Sequence, residues 1–183
     1  MNYPTTWLQE SSTFSLFWSL MLGDYSLWHD DVPWVRARMP AVRKLLFGLE
    51  AHVGPDGLVR NLPGLSFIDW VPEWPTGTPP GGGYGEDGSS VVNCLYLLAL
   101  RSAAQVEGSL GERDLAARWM ARADSLAAAI RRAFWCAARG MLADTAAKDS
   151  FSEHAQCLAI LSGALDAAQE DAAFAGLVSA PDL

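Results

Sequence analysis

SVVNCLYLLALRSAAQV, residues 90–106, is apolar around nearly the whole circumference of a helix and carries one charge, Arg101. A helix apolar on every side must be enclosed by protein, whereas one with a single apolar stripe can turn its other side to water. The next helical stretch, ERDLAARWMARADSLAAAIRRAF at 112–134, is strongly one-sided, and EHAQCLAILSG at 153–163 is apolar throughout again. The order is inner, outer, inner.

The alternation extends in both directions. Residues 13–22, TFSLFWSLML, read as another all-round apolar helix. Residues 33–53 place Val35, Met39, Val42, Leu46, Leu49 and Val53 on one stripe, opposite Arg36, Arg43 and Glu50. Residues 166–178 supply a last one-sided helix, with Asp166, Gln169 and Glu170 set among Ala167, Ala168, Phe174 and Leu177. The expectation is an all-α chain of three helical hairpins, at about 13–53, 89–137 and 153–178. A period of about 50 residues suits repeat or toroidal helical architectures better than a compact bundle.

Several residues mark helix ends. Ser109 with Glu112 and Ser150 with Glu153 have the capping-box spacing, in which each side chain satisfies the other's orphan backbone donor. Gly54, Gly108, Gly140 and Gly163 follow periodic segments and are expected as left-handed caps, with Pro55 blocking continuation after the first. Pro40 lies inside the stripe at 33–53 and predicts a kink or break, and Gly23-Asp24-Tyr25 predicts the turn that ends the first helix.

Composition narrows the function. The 183 residues are half hydrophobic with a net charge of -8, which suits one domain with a sizeable core. Acidic side chains are scattered and no basic stripe exists to neutralise phosphates, so nucleic acid is not an expected partner. The longest apolar runs are about ten residues, short of the roughly 20 needed to span a bilayer. No charged start followed by an apolar run resembles a signal peptide, so a cytoplasmic location is expected. Cys94, Cys136 and Cys157 lie in apolar helical patterns and read as small buried side chains. His29, His52 and His154 have no ligand spacing, so no metal is expected. The glycines at 81–83 and Gly85 lie in a proline-rich loop that follows no strand, so neither a nucleotide nor any other cofactor is indicated.

Chemistry is sought in residues 54–88, a long loop in an otherwise helical chain. Loops of that length are usually functional or disordered. Disordered linkers lack aromatics, but this one carries Phe67, Trp70, Trp74 and Tyr84 beside Asp69, Glu73, Glu86 and Asp87. Such a mixture suits a sugar, whose pyranose face stacks on a ring while its hydroxyls donate to carboxylates. The bland alternative is that Trp70 and Trp74 plug the end of the helical layer, with Glu73, Glu86 and Asp87 merely solvated. Of the remaining tryptophans, Trp119 and Trp135 read as core, and Trp18, Trp28 and Trp34 cluster around the first helix. Trp7, Glu10 and Trp18 are candidates to line a cavity, and Glu153, His154 and Gln156 are expected near the mouth of whatever the inner helices enclose.

Gly23-Asp24-Tyr25 after an aromatic helix, Asp56-Gly57-Leu58, Phe67-Ile68-Asp69-Trp70, the helix from Asn93 to Val106, and the run from Ser152 to Ala159 together resemble the catalytic domain of bacterial α-L-rhamnosidases, family 78 of the glycoside hydrolases. The resemblance covers nearly the whole chain. It implies an (α/α) six-hairpin toroid whose inner helices surround a sugar pocket, of which about three hairpins are present here. The remaining half of the toroid would lie elsewhere in a parent protein.

Members of that family hydrolyse terminal α-L-rhamnose with inversion, using one carboxylic acid to protonate the leaving oxygen and one carboxylate to activate water. The resemblance places the acid in an Asp/Arg/Glu-rich motif before this region and the base in a later hairpin. Neither motif occurs here, so no residue is nominated as catalytic and the isolated chain is expected to be inactive. The family's Asp-Trp element maps onto Asp69 and Trp70, which with Trp74 are the expected substrate-binding residues for a rhamnose-containing glycoside. An acid role for Asp69 is the lesser alternative. Two further readings stay open: another six-hairpin glycosidase, of debranching or trehalase-like type, and a noncatalytic helical module for sugar binding or protein interaction.

Overall fold

A computed structural model describes residues 10–74 and 76–180. Among these residues six helices make three hairpins: α1 (Ser12–Trp28) with α2 (Val32–Glu50), α3 (Ser90–Ser109) with α4 (Arg113–Phe134), and α5 (Glu153–Ser162) with α6 (Ala167–Ser179). The fold is all-α apart from a small antiparallel ribbon, β1 (Trp135–Cys136) and β2 (Met141–Leu142). No helix among the described residues is long and apolar enough to cross a membrane.

The enclosed helix is α3. Val91, Cys94, Leu95, Tyr96, Leu97, Ala99 and Leu100 are all fully buried, because α1 lies on one side, α5 on the other and α4 behind. The outer helices behave as their stripes require. Val35, Met39, Val42, Leu46 and Leu49 of α2 are buried, as are Trp119, Ala123, Leu126, Ile130 and Phe134 of α4. The polar side of α2 is fastened to α3 by Arg43, whose Nε and Nη2 each donate at 2.7 Å to the fully buried Glu107. Trp135 packs against the core from β1.

The flanking inner helices differ from the expectation of burial all round. In α1, Leu16, Ser19, Leu22 and Gly23 are buried while Phe14, Trp18 and Met21 are exposed. In α5, Ala155, Ala159 and Ser162 are buried while Cys157 and Leu161 are exposed. Each packs on α3 and, among the described residues, has no further inner helix on its other side. Cys157 is exposed for the same reason, so of the three cysteines expected to be buried only Cys94 is, Cys136 being half-buried on the ribbon.

Local signals need correction at seven residues. Gly23 does not end α1, which runs on to Trp28. Its role is a close approach to α3, where a Cβ would lie 2.1 Å from Ser102 Oγ. Pro40 does not break α2, since it sits on the exposed face where the carbonyl it leaves unpaired can be solvated. Ser109 is the last residue of α3 and donates to the Val106 carbonyl, so the predicted box with Glu112 is absent. The start of α5 is capped by Ser152, not Ser150, and a reciprocal box forms instead at Asp166 and Gln169. Of the four predicted glycine caps only Gly163 closes a helix in the left-handed conformation. Gly140 uses a positive φ to turn the ribbon, Gly108 is helical, and α2 ends at Ala51 before Gly54.

Among its described residues the segment joining α2 to α3 has no helix and only isolated bridges, at Val53, Val59 and Gly64, yet it is fastened along its length. Ser12 Oγ donates to the Pro63 carbonyl at 2.7 Å and Thr13 Oγ1 to that of Phe67 at 2.5 Å. Asn93, buried in α3, accepts from the Val59 N–H at 2.8 Å and donates back to its carbonyl at 3.1 Å. The segment therefore lies across the N-terminal ends of the inner helices α1 and α3.

Candidate functional site

The third inner helix begins at the same end, because a buried turn ties it there. Asp144 offers its backbone carbonyl to the Ser90 N–H of α3 at 2.9 Å and its carboxylate to the hydroxyls of Ser150 and Ser152, at 2.7 and 2.5 Å. Ser152 in turn accepts from the Ala155 N–H and starts α5. Gln156 clamps the helix to the ribbon, accepting from the Leu142 N–H and donating to its carbonyl, at 2.8 and 2.7 Å. It is fully buried and so holds structure rather than standing at a mouth. Asn93 and Gln156 use one device, a side-chain amide completing a peptide-like pair with a neighbouring segment.

Between the long loop and this turn lies a groove of about 660 Å³, lined by Asp69, Trp70, Glu73 and Trp74 on one side and by Asp144, Phe151, Glu153 and His154 on the other. The three residues proposed from sequence to contact substrate thus share one groove, but in different settings. Trp70 is 75% exposed, with its ring edge on Phe67 at 5.1 Å, and Phe67 meets Phe14 of α1 at 5.7 Å. Trp74 is only 4% exposed and its ring lies 4.9 Å from that of His154. A flat apolar face is therefore presented by Trp70, while Trp74 backs the wall.

Asp69 is held at both carboxylate oxygens. Oδ1 accepts from the Trp70 N–H at 2.7 Å, and Oδ2 lies 3.2 Å from His154 Nε2. The His154 hydrogen bond, followed by that of the Trp70 N–H, holds this carboxyl below the usual carboxylate range. Glu73 and Glu153 are exposed on the same groove. Glu86 and Tyr84 fall in an adjoining cleft of about 410 Å³ that shares Glu73 and Trp74. Asp87 is exposed outside both.

A wider groove of about 1050 Å³ follows the seam between α1 and α2 and takes in Glu10 and Trp18; Trp7 lies outside the described residues. Among the described residues no group of three or more His, Cys, Asp or Glu is gathered to hold a metal ion. Sequence reasoning missed Asp144 and the partnership of His154 with Asp69. A buried Asp144 had no signal in its neighbours, whereas Asn93 and Gln156 were detectable as lone amides in otherwise apolar helices.

Residues 3–180 match the family model described as the bacterial alpha-L-rhamnosidase 6 hairpin glycosidase domain. The chain belongs to this family. Two solved structures share its fold. One is a GH78 family rhamnosidase of Bacillus sp. GL1, 24% identical, with a TM-score of 0.82 over 98% of this chain and 18% of that one. The other is a rhamnosidase from Klebsiella oxytoca with rhamnose bound, 19% identical, with a TM-score of 0.78 over all of this chain and 33% of that one. The rhamnosidase domain described here thus spans a third or less of either protein. No curated protein matches it in sequence.

Proposed function

We propose that this chain is part of the catalytic domain of an inverting α-L-rhamnosidase, in which Asp69, Trp70 and Trp74 bind the terminal rhamnose while the catalytic acid and base are supplied from outside these residues. The observation that carries the reading is the family match over residues 3–180, with the Asp-Trp pair on a groove at the starting ends of the inner helices. In such an enzyme the exposed Trp70 indole packs on the apolar face of the sugar, Trp74 supports the wall, and Asp69 accepts from ring hydroxyls. A carboxyl held ionised by two N–H donors is suited to accepting, not to protonating a leaving group near neutral pH, which favours binding over acid catalysis for Asp69. Inversion needs two carboxyl groups on opposite faces of the sugar, roughly 6.5–9.5 Å apart, with room for a water between.

The test is release of chromophore from an aryl α-L-rhamnoside by the purified chain, beside a titration with L-rhamnose. No turnover above a blank is expected, together with weak binding of rhamnose that is lost in Trp70→Ala. Turnover that survives purification and disappears in Asp69→Asn would overturn both the placement of the catalytic pair and the binding role of Asp69.

A further inference from the structure

We infer that His154, on the first turn of α5, is a positioning residue for the sugar site, its Nε2–H holding Asp69 Oδ2 and so fixing the direction in which that carboxylate meets the sugar hydroxyls. The inference rests on reading Asp69 as a sugar-binding group. Asp69 stands outside any helix or strand, its backbone held by its N–H donating to the Gly77 carbonyl at 3.3 Å, while the other hydrogen bond to its carboxylate comes from the N–H of its own neighbour, Trp70. The tie to His154 crosses 85 positions of sequence and joins the loop to an inner helix. His154 is itself firmly set. Its helix is capped by Ser152 and clamped by Gln156 two residues on, and its ring lies against the buried Trp74.

Charge supports the same role. The other ionisable side chains lining the groove are Glu73 from the loop, Asp144 from the turn and Glu153 from α5, all carboxylates. Among the described lining residues His154 is the one side chain able to carry positive charge. The His154 hydrogen bond is the largest cause holding the Asp69 carboxyl below the usual carboxylate range, and the nearby imidazole adds a smaller electrostatic contribution in the same direction. An ionised carboxylate has about four lone-pair sites, so with one taken by His154 and one by the Trp70 N–H the rest are free for sugar hydroxyls. Nε2 must carry a hydrogen for this contact, which the neutral Nε2–H tautomer and the imidazolium both provide.

Two variants separate holding from packing. His154→Phe keeps a ring against Trp74 and removes the donor, whereas His154→Gln removes the ring and keeps an N–H donor; His154→Leu serves as a smaller variant without a donor. The readout is the carboxyl carbon resonance of Asp69 in the full chain, titrated with acid in the absence of ligand, with L-rhamnose affinity measured on the same samples. Expected is a wild-type midpoint below the ordinary carboxylate range, raised toward it in the Phe and Leu variants and restored in the Gln variant. Affinity should fall about 3- to 10-fold without the donor, as for loss of one hydrogen bond, and recover with Gln. An Asp69 midpoint unmoved in both donor-less variants overturns the inference, whether or not the chain binds rhamnose. So does an effect found with Gln but absent with Phe, which is the pattern of packing alone. A midpoint that moves as expected, in a chain whose rhamnose binding is absent or indifferent to Asp69→Asn and Trp70→Ala, overturns the sugar-site reading and leaves the contact between His154 and Asp69 standing.

Discussion

Trp70 and Trp74 are four residues apart on one groove, and their exposures of 75% and 4% assign them different work. Removing Trp70 uncovers little that was dry, so Trp70→Ala should change stability by no more than about 0.5 kcal/mol. In an enzyme that also carries the catalytic pair it should weaken substrate binding by about 1–3 kcal/mol. Trp74→Ala empties a packed site beside His154 and should cost roughly 3–5 kcal/mol of folding stability, read as a lowered denaturant midpoint. Unchanged binding with lost stability in Trp70→Ala would show that Trp70 is a structural plug. Asp69 adds a pH signature. Its folded pKa is depressed by His154 and the Trp70 N–H, so the unfolded chain binds the proton more readily. The stability from this contact is complete above the unfolded pKa of about 3.9 and is lost as pH falls through the lowered folded value. Denaturant midpoints measured through that acid range should fall less steeply in Asp69→Asn than in wild type.

At the scale of elements, the joint between α2 and α3 depends on Arg43 and Glu107. Glu107 is fully buried and accepts two hydrogen bonds from one guanidinium, so Glu107→Ala removes both, leaves the partly exposed Arg43 only Glu112 at 3.9 Å, and should cost about 1.5–3 kcal/mol. Replacing both partners by Met and Leu should restore most of that loss, since a well-packed apolar pair can match a buried ion pair. Thermal unfolding of the single and double variants distinguishes a buried pair of this kind from an ornamental surface bridge. The contrast between these elements also shows what local sequence carries. α3 was legible because burial on every side leaves an all-round apolar sequence, and α2 and α4 because burial on one side leaves a stripe. α1 and α5 read like α3, although Met21 and Leu161 face outward, because composition records that a side chain is apolar and not which neighbour covers it. Serine followed by glutamate three residues on also arises within a helix end or a turn, which is why Ser109 and Ser150 misled. The two-residue strands of the ribbon are too short to leave a period. Asp69, Trp70 and Trp74 could be singled out from the aromatic and acidic content of their loop. The meeting of Asp69 with His154 could not, since it exists only after α5 has been placed beside the loop.

For the whole molecule, the decisive fact is that α1 and α5 both pack on α3 and that, among the described residues, neither has a second inner helix on its other side. One flank exposes Met21, with Phe14 and Trp18 beside it along the seam with α2; the other exposes Leu161, with Phe174 and Val178 of α6 beyond it. In a six-hairpin ring every inner helix has a neighbour on both sides, and three hairpins leave two such flanks open. Contiguous apolar surface beyond a few hundred Å² drives association in soluble proteins. The hairpins themselves can still form, because side-by-side helical units draw their stability mainly from nearest neighbours, and α3 with α4 already supplies a dry centre. The purified 183-residue chain is therefore expected to show strong helical circular dichroism together with self-association in light scattering and binding of a hydrophobic dye. Met21→Lys with Leu161→Lys places a charge on each flank while touching no buried residue, and should reduce both association and dye binding without loss of helix signal. A cooperative, monodisperse wild-type monomer that binds no dye would mean that the two flanks are not the open edges of a ring.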